Sequence, residues 1–203
     1  PAATTTTITS DAPDPSAVGE SYTVAVTVAA NPGAGQPVGT VAVNDGSGAS
    51  CMITLANASG SCQLTSTSPG AKTLTASYSS SGQAFANSAD TEPHQVGPAA
   101  TTTTITSDAP DPSLVGQPYT VAVTVAAAVG TPTGGVSISD GSGASCTATL
   151  SAGAGSCQLT STSAGAKTLT ASYAGQGSFA SSSDTEPHQV NSAGPAPTMT
   201  DIT

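Results

Sequence analysis

The sequence predicts an all-β protein made of two tandem β-sandwiches of about seven strands each. Three observations predict it. First, apolar residues alternate with small polar ones, as in SYTVAVTVAA, where Tyr22, Val24, Val26 and Val28 fall on one face. A period of two is the signature of a half-buried strand. Second, long blocks recur in the same order. TTTTITSDAPDPS stands at Thr4 and at Thr101, YTVAVTVAA at Tyr22 and Tyr119, DGSGASC at Asp45 and Asp140, AKTLTASY at Ala71 and Ala166, and DTEPHQV at Asp90 and Asp184. Third, turn-forming runs rich in Gly, Pro, Asn, Asp and Ser separate the alternating segments.

Within the first copy, strands are predicted near 4–10, 21–30, 39–44, 50–56, 61–68, 71–79 and 91–96. The runs DAPDP, NPGAGQP, NDGSG, ANASG, SPG and SSSGQ mark the turns between them. The offset between the copies shrinks at two Gly/Ser-rich loops, where short deletions are tolerated by a rigid scaffold. Seven short strands in roughly 100 residues is the count of an immunoglobulin-like sandwich. The expected modules are residues 1–97 and 98–193, and the joint Val96-Gly97-Pro98-Ala99-Ala100 is short and Pro-containing, which limits bending. The tail GPAPTMTDIT, residues 194–203, aligns on its Gly-Pro with the opening of the second module and is expected to be the first strand of a following module.

Composition removes several function classes. Two basic residues against twelve acidic ones give a formal charge of −10. Such a chain has nothing with which to replace the counterions of a phosphate backbone, so nucleic acid is not an expected partner. No apolar stretch approaches the roughly 20 residues a bilayer-spanning helix needs, so no membrane insertion is expected in this segment. With no Trp and only Phe85 and Phe179, each core must be filled by Val, Ile, Leu, Ala and Tyr.

Cys51 and Cys62 flank a predicted hairpin centred on Ala56-Asn57, and Cys146 and Cys157 repeat the spacing. Cysteines directly opposed on an antiparallel pair lie within disulfide reach, so a disulfide is the favoured pairing. Buried reduced thiols are one alternative. A metal site is another, although it lacks the Cys-x-x-Cys or His spacing of such sites. On this reading each bridge ties neighbouring strands of one sheet, unlike the inter-sheet bridge of antibody domains.

Taken together, TTTTITSDAPDPS followed by VG two positions on, the cysteine-bearing GASC and GSCQLTSTS, GAKTLTASY and the closing DTEPHQV resemble bacterial Ig-like repeats of the group 3 type. The resemblance covers both modules nearly end to end. It implies an extracellular location, secreted or on the bacterial surface, a non-enzymatic role, and neighbouring Ig-like modules of the same chain as partners. It implies no active site and no cofactor. The tail PTMTDIT is equally similar to the opening of a TIG-like module.

Candidate sites remain to be weighed against ordinary structural roles. Asp11, Asp14, Glu20 and Asp45 gather near one pole of the first module in the expected topology, and Asp184 and Glu186 lie nearer the opposite pole of the second. Clustered carboxylates suit calcium, whereas Asp in DAPDP and DG is also ordinary turn chemistry. Lys72 and Lys167 are read as solvated strand ends rather than isopeptide lysines. An ester between a first-strand Thr and Gln95 or Gln189, with His94 or Glu92 as base, competes with the plain reading of threonines as strand formers. No nucleophile motif, phosphate loop or isolated acid pair accompanies His94 or His188. The sequon Asn57-Ala58-Ser59 sits at a hairpin tip of the first copy alone.

The leading expectation for function is a structural repeat forming a stalk or fibre. A second is an adhesin unit, or a carbohydrate-binding accessory module of a secreted enzyme, with a cell-surface glycan as partner. A third is a filament subunit that assembles head-to-tail into a homopolymer by strand complementation.

Overall fold

The computed structural model describes residues 1–194, so the expected strand in the tail, beyond Gly194, lies outside the described residues. The chain divides into two compact units, Pro1–Ala99 and a second beginning at Ala100. Each is an immunoglobulin-like sandwich of one three-stranded and one five-stranded sheet. The described residues contain no helix.

In the first unit the strands are β1 (Thr4–Ala12), β2 (Ser16–Ala17), β3 (Ser21–Ala30), β4 (Gly39–Asn44), β5 (Ser50–Thr54), β6 (Ser59–Thr65), β7 (Gly70–Ser80) and β8 (Ser88–Gly97). They form the sheets β1-β3-β6 and β2-β8-β7-β4-β5. The second unit repeats this order with β9 (Thr101–Ala109), β10 (Ser113–Leu114), β11 (Pro118–Ala127), β12 (Gly134–Ser139), β13 (Ser145–Leu150), β14 (Ala154–Thr160), β15 (Gly165–Tyr173) and β16 (Ser182–Asn191).

Alternation dictates which side chains enter the core. Tyr22, Val24, Val26 and Val28 project from β3 onto Val41 and Val43 of β4 and Leu74, Ala76 and Tyr78 of β7. Burying each of the larger aliphatic side chains contributes about 1.5–3 kcal/mol, which must offset the ordering of a Ser- and Thr-rich backbone. The outward positions carry Thr and Ser, whose β-branching or small size suits a pleated, solvated face.

β1 and β8 belong to different sheets and close one edge of the sandwich through side chains. The Thr4 and Thr6 hydroxyls each lie 2.8 Å from Ser88 Oγ. Asp90 Oδ2 accepts the Ile8 N–H at 2.8 Å, beside a bulge in β1 between Ile8 and Ser10. A carboxylate thereby satisfies an edge N–H that the ladder leaves free.

About seven strands per unit were expected, and each unit adds to those seven a two-residue strand, because Ser16-Ala17 pairs in parallel with Val96-Gly97. Two residues are too few to show alternation, so DAPDPS reads as turn only. One expectation is corrected, and it concerns the cysteines. Cys51 pairs with Val43 on β4, whereas Cys62 pairs with Val24 on β3, so β5 and β6 lie in opposite sheets. The hairpin between them holds only the bridge Ala56–Ser59, turning through Asn57 and Ala58 at φ 52° and 60°. Beyond that bridge the strands part, and Ile53 and Leu64 enter the core from opposite sides.

The disulfide Cys51–Cys62, with a Cα separation of 6.1 Å, therefore joins the two sheets, and Cys146–Cys157 does the same at 6.0 Å. In spanning the sheets it is like the antibody bridge, but it connects two edge strands.

Candidate functional site

The largest polar assembly inside each unit gathers where its first and last strands meet. In the first unit β1 ends with Asp11 and Ala12, the DAPDP segment turns, and β2 begins at Ser16. His94 lies on β8 two residues before Val96 and so shares its inward face. Both are buried.

Ser16 Oγ lies 2.8 Å from His94 Nε2, and Asp11 Oδ2 lies 2.8 Å from Nδ1. A carboxylate only accepts, so Nδ1 carries a proton and donates to Asp11, while Nε2 and the Ser16 hydroxyl share the second bond. Asp14 Oδ1 accepts the Gln95 N–H at 2.9 Å and stands 3.5 Å from His94 Nδ1. The Tyr22 ring stacks on the imidazole with centroids 4.0 Å apart.

Tyr22 carries the network across the base of the core. Its hydroxyl lies 3.2 Å from Ser66 Oγ, which donates to Asp45 Oδ2 at 2.7 Å. Asp45 also accepts from the Ser47 N–H, the Ser47 hydroxyl and the Ala49 N–H. Burial pushes the Asp45 carboxyl up, but the bonds from Ser66, Ser47 and Ala49 outweigh it and hold the group below its ordinary range. Burial raises the Tyr22 phenol; Ser66 opposes this, and the charges of Asp45 and Asp11 add to it.

The second unit reproduces every contact. His188 binds Ser113 at 2.9 Å and Asp108 at 2.8 Å, Asp111 stands at 3.5 Å, and Tyr119 stacks at 4.0 Å. Ser161 donates to Asp140 at 2.6 Å. No buried side-chain nitrogen or oxygen among the described residues lacks a partner. A fully satisfied buried network specifies one arrangement of its strands, since any slip would strand several polar groups at once.

The string Ser16, His94, Asp11 has the order of a nucleophilic relay. Ser16 is only 3% exposed, however, so its hydroxyl presents no open face to a substrate. What this arrangement does chemically is clasp the DAPDPS segment to β8.

The acids singled out in the sequence have separate fates. Asp11 and Asp14 converge on His94, with Asp108 and Asp111 as their equivalents, whereas Asp45 is consumed by its own loop and Ser66. Asp184 accepts the Ile105 N–H on the second unit's edge, Glu186 lies half-buried on β16, and Glu20 accepts the Ala17 N–H. Lys72 and Lys167 donate to Ser68 and Ser163 at their strand ends. The Gln95 side chain turns to the Val96 carbonyl, and the Thr4 and Thr6 hydroxyls to Ser88. Phe85 is a core residue, and Phe179 packs half-buried against the second core, so neither ring forms an open stacking face.

The sequence reading missed the clasp itself. Its signal was the phase of His94 with Val96 and of Ser16 with Val18, polar residues continuing an apolar row.

Residues 100–191 match the model of a family described as bacterial Ig-like domain (group 3). Among solved structures, invasin, a bacterial integrin-binding protein, is similar at 20% identity and TM-score 0.51, over 94% of this chain and 39% of that one. A tetra-tandem repeat from the extending region of a large adhesion protein is similar at 18% identity and TM-score 0.47, over 94% of this chain and 50% of that one. A two-domain fibronectin type-III segment from chicken tenascin is similar at 11% identity and TM-score 0.49, over 89% of this chain and 96% of that one. The chain thus spans half or less of the invasin and tetra-tandem-repeat structures. No curated protein sequence matches it. The family match bears out the resemblance to group 3 Ig-like repeats over the second unit, and the invasin likeness agrees with the Ig-like fold.

Proposed function

We propose that this tandem of bacterial Ig-like repeats is a load-bearing, non-enzymatic stalk segment of an extracellular or surface-attached bacterial protein. The observation that carries the reading is the parallel pairing of β2 with β8, reinforced by Val18 N–H donating to the Gly97 carbonyl at 2.9 Å. Tension entering a unit near its start and leaving at its end pulls these two strands in opposite directions. Bonds loaded in shear fail together, whereas bonds at a peeled edge fail one by one. The Ser16–His94, Asp11–His94 and Asp14–Gln95 bonds add to the same junction. Disulfides in both units fit an oxidising, extracellular setting.

Single-molecule pulling on the full chain tests this. Two high-force unfolding events are expected, and Ser16→Ala with Ser113→Ala should lower both forces. Forces unchanged by loss of the clasp would overturn the reading. Reproducible binding to a glycan array or to cells would instead favour the adhesin or accessory-module function. Self-association of the chain into fibres would favour strand complementation.

A further inference from the structure

Two carboxylates converge on one imidazole nitrogen in each unit. Around His94 Nδ1, Asp11 Oδ2 stands at 2.8 Å and Asp14 Oδ1 at 3.5 Å, and all three atoms lie within 4.8 Å of one another. Around His188 the distances to Asp108 and Asp111 are again 2.8 and 3.5 Å. One proton on Nδ1 points at a single acceptor. It serves Asp11 and leaves Asp14 facing the same nitrogen, with two negative charges close together. A cation at the proton's position answers both.

The spacing selects the kind of cation. Donors held about 2.0–2.1 Å from a tetrahedral metal are roughly 3.3–3.4 Å apart, and the two observed separations bracket that value. An imidazole donor favours zinc-class ions over calcium, which takes oxygen ligands in larger number. The other ring nitrogen meets the requirement for a bound histidine, since Nε2 faces Ser16 Oγ at 2.8 Å in the buried interior. The His94 side chain is fully buried, whereas that of Asp14 is 41% exposed, so an ion has a route in from solvent and water can complete its shell.

The geometry points to one transition-metal site per unit, in which His94 Nδ1, Asp11 and Asp14, and equally His188 Nδ1, Asp108 and Asp111, hold a zinc-class dication with water as the remaining ligand. On binding, the ion replaces the proton at Nδ1, and the bound ring carries its one proton on Nε2, where it donates to Ser16 Oγ. The ion ties DAPDP to β8, and the site stands whether or not the repeats bear load.

The test is calorimetric titration of the chelator-stripped full chain with zinc chloride, alongside thermal unfolding. Two ions per chain and a Tm that rises with excess zinc are expected. Asp14→Asn with Asp111→Asn keeps an oxygen for the Gln95 and Gln189 N–H groups, so the fold should persist while zinc affinity drops at least tenfold. Cobalt(II) should give tetrahedral visible bands in the parent chain and lose them in the variant. Zinc that leaves the parent Tm unmoved without measurable heat overturns the site. So does binding undiminished in the variant, or a Tm shift with calcium chloride and none with zinc.

Discussion

Ser16 Oγ and His94 Nε2 lie 2.8 Å apart, although the two residues come from opposite ends of the first unit's chain. This bond and its counterpart Ser113–His188 can form only after β8 and β16 have docked, so they report completion of each sandwich.

Removing the hydroxyl should therefore cost stability without altering the fold. Ser16→Ala leaves His94 Nε2 buried without a partner, a loss of about 1–3 kcal/mol. Urea denaturation of the metal-free chain is expected to show the first unit's midpoint lowered with its slope unchanged. A midpoint equal to the parent's would mean that Ser16 contributes only shape.

The inter-sheet disulfides should matter in two measurable ways. On the chain-entropy model, closing a loop with a separation of 11 residues stabilises each unit by about 2–3 kcal/mol, so reduction should lower Tm by several degrees. Under tension the bridge also hides the loop between the cysteines. With residues spanning at most about 3.3–3.6 Å each, reduction should lengthen every unfolding step by roughly 3–4 nm. Identical step lengths with and without reductant would show that the cysteines are unpaired.

Acid should act on the base of the core through Asp45 and Asp140. Both carboxyls are held below their ordinary value of 3.8 in the folded state, so the unfolded chain binds protons first as pH falls. Their contribution is complete above about pH 5 and is lost as pH drops through the folded value. Asp45→Asn with Asp140→Asn should reduce stability at pH 7 by about 1–3 kcal/mol, because Ser66 and Ser161 then donate to a neutral amide. The gap between variant and parent should narrow towards pH 3. A gap that stays constant between pH 7 and pH 3 would assign the acid sensitivity to other groups.

Most of the sandwich was legible in the sequence. Tyr22, Val24, Val26 and Val28 announce an inward row by their period of two, and the structure buries all four. The equal spacing of the cysteines in both copies was legible as well, but their register was not: the turn runs through Asn57 and Ala58, one residue beyond the expected centre, and Cys51 meets Cys62 across the two sheets rather than as its partner in a hairpin. The clasp was less so: Ser16 and His94 are polar, and a reading that follows apolar residues passes over them even where they sit in phase with Val18 and Val96.

What the sequence by itself determined is the local pattern: where strands run, which face of each is apolar, where turns fall, and that one module is repeated. Which sheet each strand joins, that the disulfides cross between sheets, and that Asp11, Asp14, Ser16 and His94 meet were decided only by the tertiary structure. The reason is physical. Alternation depends on neighbours two residues apart, and any pairing that keeps the apolar rows inward satisfies it. The choice among pairings depends on how two sheets fill one core and satisfy every buried polar group at once, and those contacts join residues as far apart in the chain as Asp11 and His94.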